Sequence, residues 1–219
     1  KAITEETTYT ATASKKTAQE QITEAGGLKA VDIAIWKGDE ITWSKGVALS
    51  DTAKAKDTDG KLQALLDAAT VTDESSRSNQ TVGKQTGNLK VTFADNTQAT
   101  PSAITVNDQN LYVRENKEEI TDDNKDYPVP TDDDGKPTGF NVIFKLGEGT
   151  KLGNTAGDKD NPVKVKTILV KKNETLDVKT DYPKAEADTD KGYKEVSWTP
   201  ANKAITEETT YTATASKKT

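Results

Sequence analysis

One seventeen-residue stretch occurs twice in this chain. Residues 1–17 and residues 203–219 both read KAITEETTYTATASKKT, with no difference and at an offset of 202 residues. Identity over that length at a fixed offset points to a tandem array, in which this chain holds one full period and a 17-residue overlap. Copies without drift imply repeats that have barely diverged, although an engineered duplication would leave the same mark. In this phase, residues 1–17 are the end strand of a preceding period. Each unit of such an array is expected to contact mainly its neighbours.

Composition narrows the chemistry sharply. The 219 residues contain no Cys, no His and no Met. A thiolate nucleophile, a disulfide and a Cys-based zinc site are therefore excluded. The commonest general base and the commonest transition-metal ligand are missing with histidine. No catalytic residue and no cofactor is expected, and the chain reads as a non-enzyme. Hydrophobic residues make up 32% and charged residues 30%, a balance that would suit a disordered chain. The apolar residues nevertheless cluster into short, β-branched, alternating runs with abundant Thr, which argues for ordered β modules.

The net charge is −6. The overlap itself is slightly basic, with Lys1, Lys15 and Lys16 against Glu5 and Glu6, so a single period is more acidic still. Phosphate backbones and anionic membranes are poor partners for that surface, while self-repulsion favours solubility. No apolar run approaches the ~20 residues of a membrane span. Any secretion signal or wall anchor is expected outside these residues.

Along the chain, the end strand 1–17 precedes a first module at residues 18–115. A Pro-containing acidic joint spans 116–138, and a second module spans 139–219. In the first module Ile33 and Ile35 alternate with Asp32 and Ala34 as a half-buried strand does. Leu62, Leu65, Leu66 and Ala69 fall at helical spacing, predicting one short helix started near Asp59. Strands are expected at 89–93, 103–106 and 111–113, with a tight turn at Ala94-Asp95-Asn96-Thr97. In the second module Phe140, Val142 and Phe144 alternate. A helix or turn is expected near Glu174–Lys179, and Tyr211, Ala213 and Ala215 share one face of a closing strand. Short strands with at most one helix per module indicate an all-β to α+β class.

Two resemblances refine this. Ile35-Trp36-Lys37-Gly38-Asp39, Trp43, Lys45-Gly46-Val47, Val71-Thr72-Asp73, Val91-Thr92-Phe93 and Leu111-Tyr112-Val113 resemble the long form of the Rib and alpha-like surface repeats, which implies an Ig-like β-sandwich with one short helix. Val142-Ile143-Phe144, Gly147, Gly149, Gly192-Tyr193, Trp198 and Thr209-Thr210-Tyr211-Thr212-Ala213 resemble the Listeria–Bacteroides surface repeat, which implies a small β-grasp-like module. Glu195 and Ser197 depart from that pattern, where Phe and Gly are usual. The resemblances imply an elongated repeat of a Gram-positive cell-surface adhesin, extracellular and wall-anchored, serving as a stalk for a terminal domain. The alternative they imply is a repeat that itself binds host glycoprotein, mucin or matrix. Neighbouring repeats are the expected partners, with no nucleic acid and no membrane insertion.

Candidate site residues are few. Trp36 lies opposite Ile33 and Ile35 in its strand and is the ligand-binding candidate, weighed against core or module-boundary packing, which is the preferred reading; Trp43 and Trp198 share the parity of core positions. Asp132 and Asp134 are weak calcium candidates, since calcium favours clustered oxygens. Their spacing does not match a helix–loop–helix calcium loop, and a solvated linker is the preferred reading. Asp158 and Asp160 read the same way. No spacing selects a Lys–Asn crosslink, and no pair of carboxylates is placed as glycoside hydrolysis requires. The end strand at residues 7–13 is expected to pair with a neighbouring molecule or to pack on the first module.

Overall fold

The computed structural model describes residue 11, residues 14–94 and residues 101–218. In chain order its elements are α1 (Ala18–Ala25), β1 (Leu28–Ala30), β2 (Ile33–Trp36), a 3-10 turn (Trp43–Gly46), β3 (Val47–Leu49), α2 (Asp51–Lys56), α3 (Lys61–Asp67), β4 (Thr70–Asp73), β5 (Gly83–Thr92), β6 (Ala103–Arg114), β7 (Lys117–Glu119), β8 (Gly139–Leu146), β9 (Thr150–Leu152), β10 (Thr155–Ala156), β11 (Val163–Lys171), β12 (Glu186–Ala187), a second 3-10 turn (Thr189–Lys191), β13 (Tyr193–Thr199) and β14 (Thr209–Lys217). The protein is β-rich, with several sheets and three α-helices among the described residues. The expected turn at 94–97 and the expected end-strand pairing at 7–13 lie outside the described residues, apart from Ala94 and Ala11.

The chain divides into two compact units. The first comprises Lys1–Val31, Trp43–Ser75 and Gly87–Gln109, and the second comprises Asp32–Thr42, Ser76–Thr86 and Asn110–Thr219. This division differs from the sequence reading, which keeps 18–115 together and separates 116–138 as a joint.

In the first unit, α1 starts at a capping box. The Thr17 hydroxyl accepts the Glu20 amide at 3.1 Å, and the Glu20 carboxylate accepts the Thr17 amide at 2.8 Å. Two of the helix's free donors are thereby satisfied. Ala18, Ile22 and Ala25 then lie on one buried face, and the helix ends at Gly26. Ser50 caps α2 through the Ala53 amide. The first-turn amides of Leu62 and Gln63 in α3 reach the Asp57 carboxylate, each at 2.9 Å. These helices pack over Val47, Leu49, Leu89, Val91, Phe93 and Val106.

The sequence reading predicted only α3. Both missed helices are short and poor in Leu, so neither has a long apolar stripe. Their caps are the stronger local signal. The two strands expected at 103–106 and 111–113 are one strand, β6. Asp108 sits inside it at φ 56°, so an exposed Asn-Asp pair that reads as a turn is instead a local irregularity within a continuous strand.

The second unit is built on a five-stranded sheet in the order β13–β14–β8–β11–β7. The pair β14–β8 is parallel, with Thr209 opposite Val142, Tyr211 opposite Phe144 and Ala213 opposite Leu146. The pairs β13–β14, β11–β8 and β11–β7 are antiparallel. Both edges are blunted: β7 is three charged residues, and β13 bulges at Glu195, which takes φ 50° between Lys194 and Val196. Such edges resist pairing with other chains. Val142, Phe144, Ile168, Val170 and Tyr211 form the core face, covered by Leu176, Tyr182 and Ile205. The stretch near Glu174–Lys179 that supplies Leu176 is turn rather than helix. Also in this unit, β2 runs parallel to the end of β6, and β9, β10 and β12 form a small separate sheet.

The acidic segment 116–138 is folded into the second unit. Buried Arg114 donates to the Glu118 carboxylate at 2.6 Å and to the Tyr127 carbonyl at 2.9 Å, and Asn124 donates to Glu118 and to the Glu119 carbonyl. The Tyr112 and Tyr127 rings sit 5.0 Å apart. The segment has too few apolar residues to register as periodic, because side-chain to backbone hydrogen bonds hold it instead.

Removing the α1 cap tests the local argument. Thr17→Ala should lower the stability of the first unit by about 1 kcal/mol, with Thr17→Ser nearly neutral. Hydrogen exchange at the α1 amides reads this directly, and unchanged protection in Thr17→Ala would contradict the capping role.

Candidate functional site

The ligand-binding candidate from sequence, Trp36, is not at the surface. It is 2% exposed, at the end of β2, whose residues are buried on both faces except for Ala34. Parity is a guide to burial only where one face of a strand is open, and here neither is. The indole Nε1–H donates to the Thr138 hydroxyl at 2.9 Å, and that hydroxyl in turn donates to the Pro130 carbonyl. The Lys171 ammonium lies 5.9 Å from the ring centre and pairs with Asp39 at 3.3 Å. Gly139 closes the enclosure, since a Cβ there would come within 2.5 Å of the indole ring. Trp36 is thus a packing anchor of the second unit. Trp43 and Trp198, assigned to the core by parity, are half-buried and pack against the two core clusters.

Asp132 spends one carboxylate oxygen on the amides of Asp134 and Lys136, at 3.1 and 2.8 Å. The Thr131–Pro137 bridge closes the same loop. Asp134 pairs loosely with Lys136 at 3.6 Å. Asp158 likewise accepts the amides of Asp160 and Asn161. Side chains that brace their own turns have less capacity to hold an ion. Among the described residues no group of three or more acidic side chains is placed to bind a metal.

The most organised chemistry is the aromatic cluster of the second unit. Phe144 stacks on Tyr211 at 5.7 Å, and meets Tyr182 and Trp198 edge-on at 4.8 and 5.5 Å. Tyr182 also touches Trp198 and Tyr211, at 5.5 and 5.1 Å. Offset and edge-on arrangements of this kind add to the stabilisation from burial alone. The hydroxyls of Tyr182 and Tyr211 are buried without a hydrogen-bond partner. Burial, and secondarily the adjoining Tyr211, push the Tyr182 phenol well above its ordinary value.

Nearby, the backbone of Gly149 passes directly beneath Tyr193. Its φ is 72°, and a Cβ would come within 2.2 Å of the ring. The Tyr193 hydroxyl donates to Glu148 at 3.0 Å, and hydrogen bonding to that carboxylate raises the Tyr193 phenol. The Gly149 and Tyr193 elements of the sequence motif therefore meet in space, as do Phe144, Trp198 and Tyr211. Sequence reasoning missed Tyr182 and Gly139. Neither belongs to an alternating run, and each acts on a partner far away in sequence.

The second unit carries open, largely polar clefts. One of about 380 Å³ is lined by residues including Glu119, Asp122, Lys125, Lys164 and Lys166, and four of these charges pair, Lys125 with Asp122 and Lys166 with Glu119. Comparison with family models, curated proteins and solved structures gave no match.

Two outcomes are expected. Gly139→Ala should destabilise the second unit by about 1–3 kcal/mol, because the added methyl overpacks the indole, and should shift tryptophan emission; unchanged stability would contradict the enclosure. The second concerns pH. A phenol whose folded pKa is raised stabilises the fold fully below its unfolded value of about 10 and loses that contribution as pH rises through the folded value. Unfolding midpoints should therefore fall above pH 10. Tyr182→Phe should flatten that fall, and an unaltered alkaline profile would contradict the assignment.

Proposed function

We propose that this chain is one period of a tandemly repeated bacterial surface protein, and that it acts as a structural element of a stalk projecting a terminal domain from the cell wall. The observation that carries this reading is the recurrence of residues 1–17 at 203–219, together with the place of the second copy in the fold. That copy supplies β14, an internal strand of the second unit's sheet, so the recurring segment is a structural part rather than a tail. The reading is non-catalytic, and a chain without histidine or cysteine supports it. The acidic balance favours an extended, soluble array.

A β-grasp-like assignment of the second unit draws support from its strand order. Reading β8, β11, β13 and β14 as first to fourth gives the order second–first–fourth–third, with the first and fourth parallel at the centre. For the first module the Ig-like assignment rests on the sequence resemblance. No helix among the described residues is long and apolar enough to cross a membrane. The alternative of a repeat that itself binds mucin or matrix drew on an exposed Trp36, and the burial of that residue leaves it without a supporting observation.

Chains of one, two and four periods test the reading, each added period being a further copy of residues 18–219. Atomic force images should show length rising by a constant increment per period, with every chain melting at the temperature of the single one. Compact particles whose length does not scale with copy number would contradict it.

A further inference from the structure

The C-terminal end of the recurring segment is described in two settings, and the two sets of contacts fall on different atoms. In the second copy, Thr209–Lys217 is strand β14, and the Lys218 amide continues past its end by donating to the Gly192 carbonyl at 2.8 Å. The Ser216 hydroxyl donates to the Lys194 carbonyl at 2.9 Å. In the first copy, the residue corresponding to Lys218 is Lys16. Its carbonyl accepts the Gln21 side-chain amide at 2.9 Å, and its ammonium pairs with Glu24. The next residue, Thr17, is the N-cap of α1, with the reciprocal Glu20 bonds described above.

The N–H is therefore engaged on the strand side, and the carbonyl and ammonium on the helix side. One residue can satisfy both settings at once, because no donor or acceptor is claimed twice. Between the last residue of β14 and the capping threonine there is one residue, and flexible-linker behaviour requires several free residues.

We infer that consecutive periods join without a linker. The strand that closes one period's second unit runs through a single doubly bonded lysine into the capped first helix of the next period, so the docking partner of this segment is a second copy of this same chain. The inference rests on the tandem reading. It adds that bending is suppressed at the joint by hydrogen bonds at both sides of one residue and by a cap that fixes the chain's entry into α1.

The test is a two-period chain, residues 1–219 followed directly by a second copy of 18–219. The sequence has no cysteine, so spin labels at Val178→Cys in the first period and Lys54→Cys in the second are unique. Double electron–electron resonance should give a single narrow distance distribution. Inserting Gly-Ser-Gly-Ser between the joint lysine and threonine should broaden it about twofold or more. An uninserted chain already as broad as the inserted one, with both periods folded by near-ultraviolet circular dichroism, would overturn the linkerless joint and leave the tandem reading intact. A two-period chain whose second period fails to fold would overturn both.

Discussion

The second unit depends on β14 reaching the middle of its sheet. This strand lies between β8 and β13, parallel to the first and antiparallel to the second. Its Tyr211 stacks on Phe144 and touches Tyr182, and Ala213 and Thr209 fill the remaining buried positions. Without β14, β13 has no neighbour in the sheet, β8 loses one side of its ladder, and Phe144 loses its stacking partner. The approach begins upstream. Ile205 is fully buried and exchanges backbone hydrogen bonds with the turn at Asn173 and Glu174. That unit is complete only when the chain has run through Lys217. A parallel pairing across so many residues is entropically demanding, because a long loop must close before the contacts form.

That dependence gives the sequence repeat its physical meaning. The same letters that close one unit also supply the cap that opens the first helix of the other, and the division falls at one lysine. Edge protection fits the same picture. Strands β7 and β13 are charged, short or bulged, so identical neighbouring units do not offer one another open ladders.

Much of the second unit was legible in the sequence. Tyr211 and Ala213 alternate with threonines, Val142 and Phe144 alternate with the less buried Asn141, Ile143 and Lys145, and the burial of both strands follows the period of two. The helix at Leu62–Leu66 was legible from its stripe, although its first-turn amides use Asp57 as well as Asp59. Helix α1 carried a readable signature, Thr17 followed three residues later by Glu20, which the reading of 1–17 as the end of a preceding strand obscured. The burial of Trp36 was the favoured reading over exposure, but how it is achieved was not legible. It depends on Thr138 and Gly139, about a hundred residues away, and no local periodicity encodes a glycine placed under an indole. The folding of 116–138 was hidden for a related reason: Arg114, Glu118 and Asn124 hold it with polar contacts, while sequence periodicity reports only apolar ones.

The most direct measurement of the central claim is complementation of the closing strand. A chain of residues 18–202 lacks both copies of the recurring segment, and the peptide KAITEETTYTATASKKT can be added back in solution. The account predicts that the truncated chain leaves its second unit unfolded, and that one equivalent of peptide restores the near-ultraviolet signal of the aromatic cluster. A Tyr→Ala peptide at the position of Tyr211 should fail to do so. A truncated chain that folds and melts like the full one, indifferent to the peptide, would contradict the claim that this segment closes the unit.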